Sequence, residues 1–384
     1  MYFLKAPSWV ISGLGFGVVL VCFFSRVHVR QLRWASGSWP ETAVMYGFLS
    51  EPGDARETAT LFSLAERHAT AVRAPGPQHA ILGSSCCGWL VTADDRAWLW
   101  LVNPVTGDQR ALPAIGTIPG LYAHRRRQQF TLNVTWFLRG PPPYPYSTMT
   151  LTAEEMRHSL YRKVVLSDNT DVAMLITGTH YGVVAFAMAG DDAWRMPPPP
   201  PLDSIEPVTN SWRLHSRNGV EDGRFYSITY SGQVEVWEER DAYAPGVFAS
   251  TVIAPRLPLP DDLDHRKYLV VAPGGQLMVL LREFKDRRMP SFKVQVLDAG
   301  REGWKETHDI GDTALFVGVS GSLEHPELKA GCIYYYPQDD PVACNSYYNG
   351  VSVISLEDGR WENVEGLGQY RSWLPPAWLM PSIP

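Results

Sequence analysis

An all-β body built of repeated hairpins is the fold that the sequence predicts, on three observations. Aromatic residues reach 12%, with 14 Trp and 17 Tyr, and wide rings sit well on the half-buried surface of a pleated sheet. The 32 Gly and 31 Pro are spread along the chain, which places many turns between short elements. Past Trp39 one arrangement recurs: a short apolar run, a turn rich in Gly and Asp, then a second run that opens on Trp or a charged residue.

In chain order, Gly88-Trp89-Leu90-Val91-Thr92 leads through Asp94-Asp95 into Ala97-Trp98-Leu99-Trp100-Leu101-Val102, which ends at Asn103-Pro104-Val105-Thr106-Gly107-Asp108. Val183-Val184-Ala185-Phe186-Ala187 turns at Gly190-Asp191-Asp192 and resumes at Trp194. Phe225-Tyr226-Ser227-Ile228-Thr229-Tyr230 turns at Ser231-Gly232 and resumes through Val234, Val236 and Trp237. Val294-Gln295-Val296-Leu297 turns at Asp298-Ala299-Gly300 before Trp304, and Val351-Ser352-Val353-Ile354-Ser355-Leu356 turns at Glu357-Asp358-Gly359 before Trp361. Asp and Gly accept the positive φ of tight hairpins. Val234-Glu235-Val236-Trp237-Glu238 alternates with the period of a half-buried strand. Residues 152–160 supply a helical turn or two, and no longer helix-period segment stands out in the body. Hairpins at intervals of a few tens of residues predict radially arranged blades. About 325 residues at roughly 45–50 per blade give a kelch-like β-propeller of six or seven blades.

Of the 384 residues, 45% are hydrophobic and 19% charged, a balance that suits a globular core and excludes a largely disordered chain. The net charge is −6. Residues 1–40 hold Lys5, Arg26, Arg30 and Arg33 and no acid, so the body carries 30 basic against 40 acidic side chains. A body this acidic repels phosphate backbones, and nucleic acid is not an expected partner. Five cysteines (Cys22, Cys86, Cys87, Cys332, Cys344) form no CxxC pair and read as reduced thiols of an intracellular protein.

Residues 6–24 carry no charge, and residues 10–24 are strongly apolar. A span of this length is near the ~20 residues that a bilayer-crossing helix needs. Arg26, Arg30 and Arg33 follow, and would hold the carboxyl side in the cytoplasm. Cys22-Phe23-Phe24-Ser25 is a poor signal-peptide cleavage site. Two readings of this predicted hydrophobic helix stand side by side: a membrane anchor through residues 10–24, and a buried or interfacial helix. Gly13-Leu14-Gly15-Phe16-Gly17 lacks the strand, helix start and later acid of a dinucleotide site, and small residues ease helix packing in lipid. The expected organisation is a hydrophobic segment over 1–34, a propeller over 40–370 and a Pro/Trp-rich tail over 371–384.

Gly83-Ser84-Ser85, Gly88-Trp89-Leu90-Val91, Leu101-Val102-Asn103-Pro104-Val105-Thr106-Gly107 and Leu112-Pro113 follow one another in that order. Tyr161-Arg162-Lys163-Val164-Val165-Leu166-Ser167, Asp222-Gly223-Arg224-Phe225-Tyr226 and Gly311-Asp312-Thr313-Ala314-Leu315-Phe316-Val317-Gly318 come next. Gly331-Cys332-Ile333-Tyr334-Tyr335, Leu356-Glu357-Asp358-Gly359 and Pro375-Pro376-Ala377-Trp378 close the series. Together they resemble a plant family of KIB-type β-propellers, many of which follow an F-box, over roughly residues 50–384. The resemblance implies a non-enzymatic protein–protein interaction propeller that recognises a partner through loops on one face. The competing reading is a propeller enzyme or glycan-binding protein with a site in the central channel, marked by clustered acidic or His side chains. Residues 1–49 show the apolar segment in place of an F-box, so Skp1 binding does not carry over. The propeller is expected in the cytoplasm or nucleus.

No catalytic, cofactor-binding or metal-binding residue is assigned. Gly83-Ser84-Ser85-Cys86-Cys87-Gly88 fails the G-x-S-x-G spacing of a nucleophile elbow. Asp261-Asp262-Leu263-Asp264-His265 lacks the Gly of a hard-cation loop and reads as solvated. The ten His form no H-x-H or H-E-x-x-H pair. Arg125-Arg126-Arg127 reads as an exposed loop, and Pro197-Pro198-Pro199-Pro200-Pro201 as a stiff connector. Asn133-Val134-Thr135 is a glycosylation acceptor only in the secretory lumen. Trp89, Trp194, Trp237, Trp304 and Trp361 sit at repeat-like positions and read as blade core.

Overall fold

A computed structural model of the chain describes residues 44–48, 58–64, 68–73, 80–84, 88–103, 108–124, 128–133, 148–167, 170–177, 183–197, 208–213, 224–240, 246–258, 266–271, 276–285, 289–298, 303–311, 313–317, 328–335, 351–364 and 377–379. The apolar segment 10–24, the basic triplet 125–127, the acidic loop 261–265 and prolines 198–201 lie outside them. Among the described residues no helix is long and apolar enough to cross a membrane.

Strands dominate, as the hairpin pattern predicts, and the described ones form seven sheets. Sheet 1 holds β1 (Val44–Phe48), β2 (Thr58–Ser63) and β3 (His68–Arg73), joined on the β1 side by the tail strand β26 (Ala377–Leu379). Sheet 2 runs in sequence order through β4 (Ala80–Ser84), β5 (Leu90–Ala93), β6 (Leu99–Val102) and β7 (Gln109–Ala111). Sheet 3 holds β8 (Leu121–His124), β9 (Gln129–Asn133) and β10 (Thr148–Thr152). Sheet 4 holds β11 (Tyr161–Leu166), β12 (Val172–Thr177) and β13 (Val184–Met188), and sheet 5 holds β14 (Val208–Arg213), β15 (Phe225–Thr229), β16 (Val234–Glu239) and β17 (Phe248–Ala254). Sheet 6 holds β18 (Arg266–Val271), β19 (Leu277–Lys285), β20 (Met289–Asp298) and β21 (Gly303–Thr307). Sheet 7 holds β22 (Ala314–Val317), β23 (Cys332–Tyr335), β24 (Ser352–Ser355) and β25 (Trp361–Asn363); here β22 and β23 pair parallel. Between sheets 3 and 4, Ala153–Glu155 begins a helix that continues as a π-turn over Met156–Leu160. A capping box starts it, with Thr152 and Glu155 exchanging hydrogen bonds.

The predicted turns do the work expected of them. Asp94 Oδ1 accepts from the backbone of Arg96 (3.0 Å) and Trp98 (2.8 Å), and its Oδ2 accepts from Trp100 Nε1 (3.1 Å), which folds β6 back on β5. At Gly232, φ is +84°, and a Cβ there would strike the Leu257 side chain, so only glycine turns the β15–β16 corner.

First strands of neighbouring sheets touch in a chain: β26 with β4, β4 with β11, β11 with β14, and β14 with β18. Sheets 2 and 4 therefore meet directly, although sheet 3 separates them in sequence. Gly83 is what allows it, because a Cβ there would collide with the Val164 carbonyl oxygen. Three of these strands carry one residue more than their partner: Leu82 in β4, Arg162 in β11 and Thr209 in β14 are skipped in the ladders. The bulge explains how Tyr161 and Val164, three positions apart, both enter the core between sheets 2 and 4.

That core joins sheets 2, 3 and 4. A second gathers Phe186, Phe225, Trp237 and Phe248, with the rings of Phe186 and Phe248 stacked at 4.1 Å. Of the five tryptophans expected in blade cores, Trp194 and Trp237 are buried, while Trp89, Trp304 and Trp361 are half-buried. Indole N–H groups find partners within the fold: Trp194 donates to Pro113 O (2.8 Å), Trp237 to Ser227 Oγ (2.8 Å) and Trp304 to Pro255 O (2.7 Å).

Candidate functional site

Two features stand out. The first is a cleft of about 390 Å³ between sheets 2 and 4. One wall carries Arg110, Leu112 and Pro113; the other carries Asp171, Met188 and Asp192. Both walls are stiff. Arg110 lies 4.9 Å over the Trp89 ring. Asp191 accepts from the Met188 backbone (2.9 Å) and pairs with Arg195 Nη2 (2.7 Å), which shapes the corner beside the cleft. Behind the cleft, Trp194 pins one sheet to the other through Pro113 O and through its own N–H to Thr117 Oγ1 (3.0 Å). Thr170 lines the floor with φ at +62°, a left-handed conformation that costs a β-branched residue. An arginine on one wall and aspartates on the other give the cleft both signs of charge along an apolar floor.

The second feature is cationic. Arg162 and Lys163 follow Tyr161 at the start of β11, and Arg266 and Lys267 open β18. In the β18–β19 ladder Arg266 stands directly opposite Arg282, an arrangement of like charges that destabilises a sheet unless something else offsets it. Arg282 is 1% exposed, donates from Nη1 to the Tyr335 hydroxyl, and places its Cζ 5.4 Å from that ring. Burial lowers the Arg266 pKa first, and the Arg162 and Arg282 charges lower it further, against the opposing pull of the Tyr268 and Tyr335 phenols. Burial likewise lowers Arg162, while Tyr268 opposes it. Lys163, buried on β11, is pushed down to about 7 by burial and by the Arg162 charge. Sheets 4 and 6 are separated by sheet 5, whose β14 touches both β11 and β18. The Arg162 charge therefore bears on Arg266 across the first strand of sheet 5.

Sequence reasoning named Arg162 and Lys163 only within a family motif, and did not single out Arg266 and Lys267. The one signal was the pair of Arg-Lys dipeptides opening two otherwise apolar strands, Tyr161-Arg162-Lys163-Val164-Val165-Leu166 and Arg266-Lys267-Tyr268-Leu269-Val270-Val271. The motif residues it did single out are structural: Gly83 permits a close approach of strands, Asn103 is buried at the end of β6, and Pro113 accepts the Trp194 indole. Asn133 is 8% exposed. Cys332 is a free buried thiol, its pKa raised by that burial. Among the described residues no three or more His, Cys, Asp or Glu gather as a metal would require.

Comparison with known proteins follows this geometry. The profile described as KIB1-4 beta-propeller matches residues 61–354. A candidate F-box protein of Arabidopsis thaliana is 28% identical over 132 residues, 30% of this chain and 33% of that protein, so the match spans a third of the curated relative. Among solved structures, a candidate 6-phosphogluconolactonase from Bacteroides uniformis aligns with 88% of this chain and 100% of its own at 12% identity, TM-score 0.38. The β-propeller domain of Cps50 (Swd1) from Myceliophteria thermophila aligns with 79% of this chain and 89% of its own at 13% identity, TM-score 0.34. At these scores neither likeness bears on activity.

Proposed function

The chain belongs to the KIB1-4 β-propeller family, and from that premise we propose that it is a non-enzymatic recognition propeller that grips a protein partner. The two-signed cleft between sheets 2 and 4 carries the reading. It is rigid on both walls and apolar along its floor, and loops on such a scaffold are where recognition concentrates. An extended segment with an acidic residue for Arg110 and a basic residue for Asp171 and Asp192 would match it. The Arabidopsis relative named as a candidate F-box protein supports a role as the recognition half of such a protein.

We read the ring as six blades, sheets 1, 2, 4, 5, 6 and 7, with sheet 3 set outside it; the direct contact of β4 with β11 supports this. The propeller then runs from β1 to β26, taking in the Pro/Trp-rich tail as the strand that closes sheet 1. We place it in the cytoplasm or nucleus, with residues 10–24 as a candidate anchor. Among the described residues, the charged groups gathered on the first strands of sheets 4 and 6 are Arg162, Lys163, Arg266 and Lys267, which supports recognition over a glycan-processing channel.

Affinity purification of the full chain from an extract of the organism that encodes it tests the proposal. A protein should co-purify in stoichiometric amount, and Ala189→Trp, which fills the cleft from an exposed position, should release it. Failure of any protein to co-purify, or retention by Ala189→Trp, would overturn the cleft reading.

A further inference from the structure

We propose that β17 of sheet 5 is a self-association edge, to which a second copy of this chain adds its own β17 antiparallel, about a two-fold axis at Ser250. The proposal does not rest on the reading of the cleft.

The first support is an open edge without charge. Among the described residues β17 pairs with β16 alone, and no strand lies on its other side. The last strands of sheets 1, 2, 6 and 7 carry Arg73, Arg110, Lys305 with Glu306, and Glu362. In sheet 4 the outer side of β13 is bridged, Phe186 to Arg195. Edge charges keep an open strand from recruiting another. β17 reads Phe248-Ala249-Ser250-Thr251-Val252-Ile253-Ala254, seven residues with neither charge nor proline. Residues 250–253 are exposed, Val252 by 50% and Ile253 by 38%. An uncharged edge with β-branched residues is a template for a further strand.

The second is register. Arg240 N–H donates to Val247 O (2.8 Å), which makes these two a hydrogen-bonded pair of the β16–β17 hairpin. Hydrogen-bonded and non-hydrogen-bonded pairs alternate along an antiparallel ladder. The pairs of Glu239 with Phe248, Trp237 with Ser250 and Glu235 with Val252 are therefore the non-hydrogen-bonded ones. Phe248, Ser250 and Val252 accordingly turn their N–H and C=O groups to the open side. These three positions are symmetric about Ser250. A second copy related by a two-fold axis sets Phe248 against Val252 and Ser250 against Ser250, and the outward groups meet in about six backbone hydrogen bonds. Ile253 is skipped in the ladder with β16. A bulge bends its strand, so the new pairing stops at Val252.

The third is charge at the two ends. The hairpin end that leads into β17 reads Glu238-Glu239-Arg240-Asp241, three acidic side chains against one basic. Glu239 is held at that end by accepting from the Gly246 N–H. The opposite end of β17 leads to Arg256, which is exposed. Antiparallel pairing lays the Arg256 end of each copy along the acidic end of the other, and the two-fold axis makes the match twice. Parallel pairing would set like ends together. The match selects a second copy of this chain as the occupant.

Sedimentation velocity of the full chain from about 1 μM to about 1 mM provides the test. The protein should pass from monomer to dimer with no larger species, because a two-fold contact closes on itself. Ser250→Pro removes an outward N–H and leaves the bonds to β16, a position where edge strands tolerate proline. It should raise the dimer Kd tenfold or more. Ser250→Lys sets two ammonium groups face to face across the axis, and serves as the second variant should the proline disturb the sheet. Cα atoms of a hydrogen-bonded antiparallel pair lie about 5.5 Å apart, within reach of a disulfide. Ser250→Cys should therefore cross-link two chains on oxidation with copper phenanthroline, whereas Val252→Cys, which faces Phe248, should not exceed the parent. A monomer at every concentration, a dimer unchanged in both Ser250→Pro and Ser250→Lys, or equal cross-linking by Ser250→Cys and Val252→Cys would overturn the proposal. A monomer whose Ser250→Pro variant releases the protein that co-purifies with the full chain would give the edge to a strand of that protein and overturn self-pairing.

Discussion

Between sheets 2 and 4 the chain buries apolar side chains and settles its few polar atoms one by one. Tyr161 donates to Ala97 O at 2.7 Å, and Trp194 donates to Pro113 O at 2.8 Å. On sheets 4 and 6 the same kind of hairpin places Arg266 opposite Arg282, and the Arg162 charge bears on Arg266. The two regions share a strand: β11 gives Tyr161 and Val164 to the first and Arg162 to the second. One region spends its residues on packing and the other on charge, and a single inserted residue divides them. Burial stabilises the first at about 1.5–3 kcal/mol per large apolar side chain. In the second, burial lowers the pKa of both Arg162 and Arg266.

The largest expected effect lies in the packed region. Trp194→Ala removes a buried ring and the indole donor that ties sheet 4 to Pro113, and should cost about 3–5 kcal/mol. Chemical denaturation reads it, and a cost under about 1 kcal/mol would mean that the two sheets are not held by this wedge.

Lys163→Met should show itself in pH dependence. The folded pKa, near 7, lies below the unfolded value, so between about 7 and 10.5 the unfolded chain binds the extra proton. The cost of burying the ammonium is full below the folded pKa and fades as pH rises to the unfolded one. Relative to the variant, the parent should therefore gain stability as pH rises from about 7 to about 10.5. Denaturation across that pH range checks it. A difference that stays flat over the range would show that the ammonium is not held below its ordinary pKa.

Tyr161→Phe keeps the ring and deletes one donor, leaving Ala97 O buried without it. About 1–2 kcal/mol should be lost, and because the phenol pKa is raised well above its ordinary value by burial, the difference should not change between pH 6 and 9. A pH-dependent difference in that range would show that the hydroxyl is wetter than its burial implies.

Arg224→Ala is the smallest, and calibrates the others. Its pair with Glu238 at 2.5 Å is about half exposed on both sides, so solvent screening should hold the loss below about 0.5 kcal/mol. A larger loss would make surface charge on sheet 5 a further contributor alongside packing.

The sequence by itself determined the hairpins. Each of the five predicted turns falls between two described strands or at a β-bridge, as where Phe186 meets Arg195 beyond Gly190, because turn chemistry and period-2 alternation are local and act over a few residues. The family was legible for the same reason, since its motifs are turn and core residues such as Gly83, Asn103 and Pro113. Residues 1–43, with the apolar segment, lie outside what the structure describes. What only the tertiary structure decided is which strands meet. Nothing local says that β26 closes sheet 1, that β22 and β23 run parallel, or that Arg162 and Arg266 feel one another. A residue skipped in a ladder reverses which face every later side chain occupies, and the sequence does not mark that Arg162 is the one skipped. The cleft and the cationic cluster are built from residues far apart in the chain, and their chemistry exists only once the sheets are placed side by side.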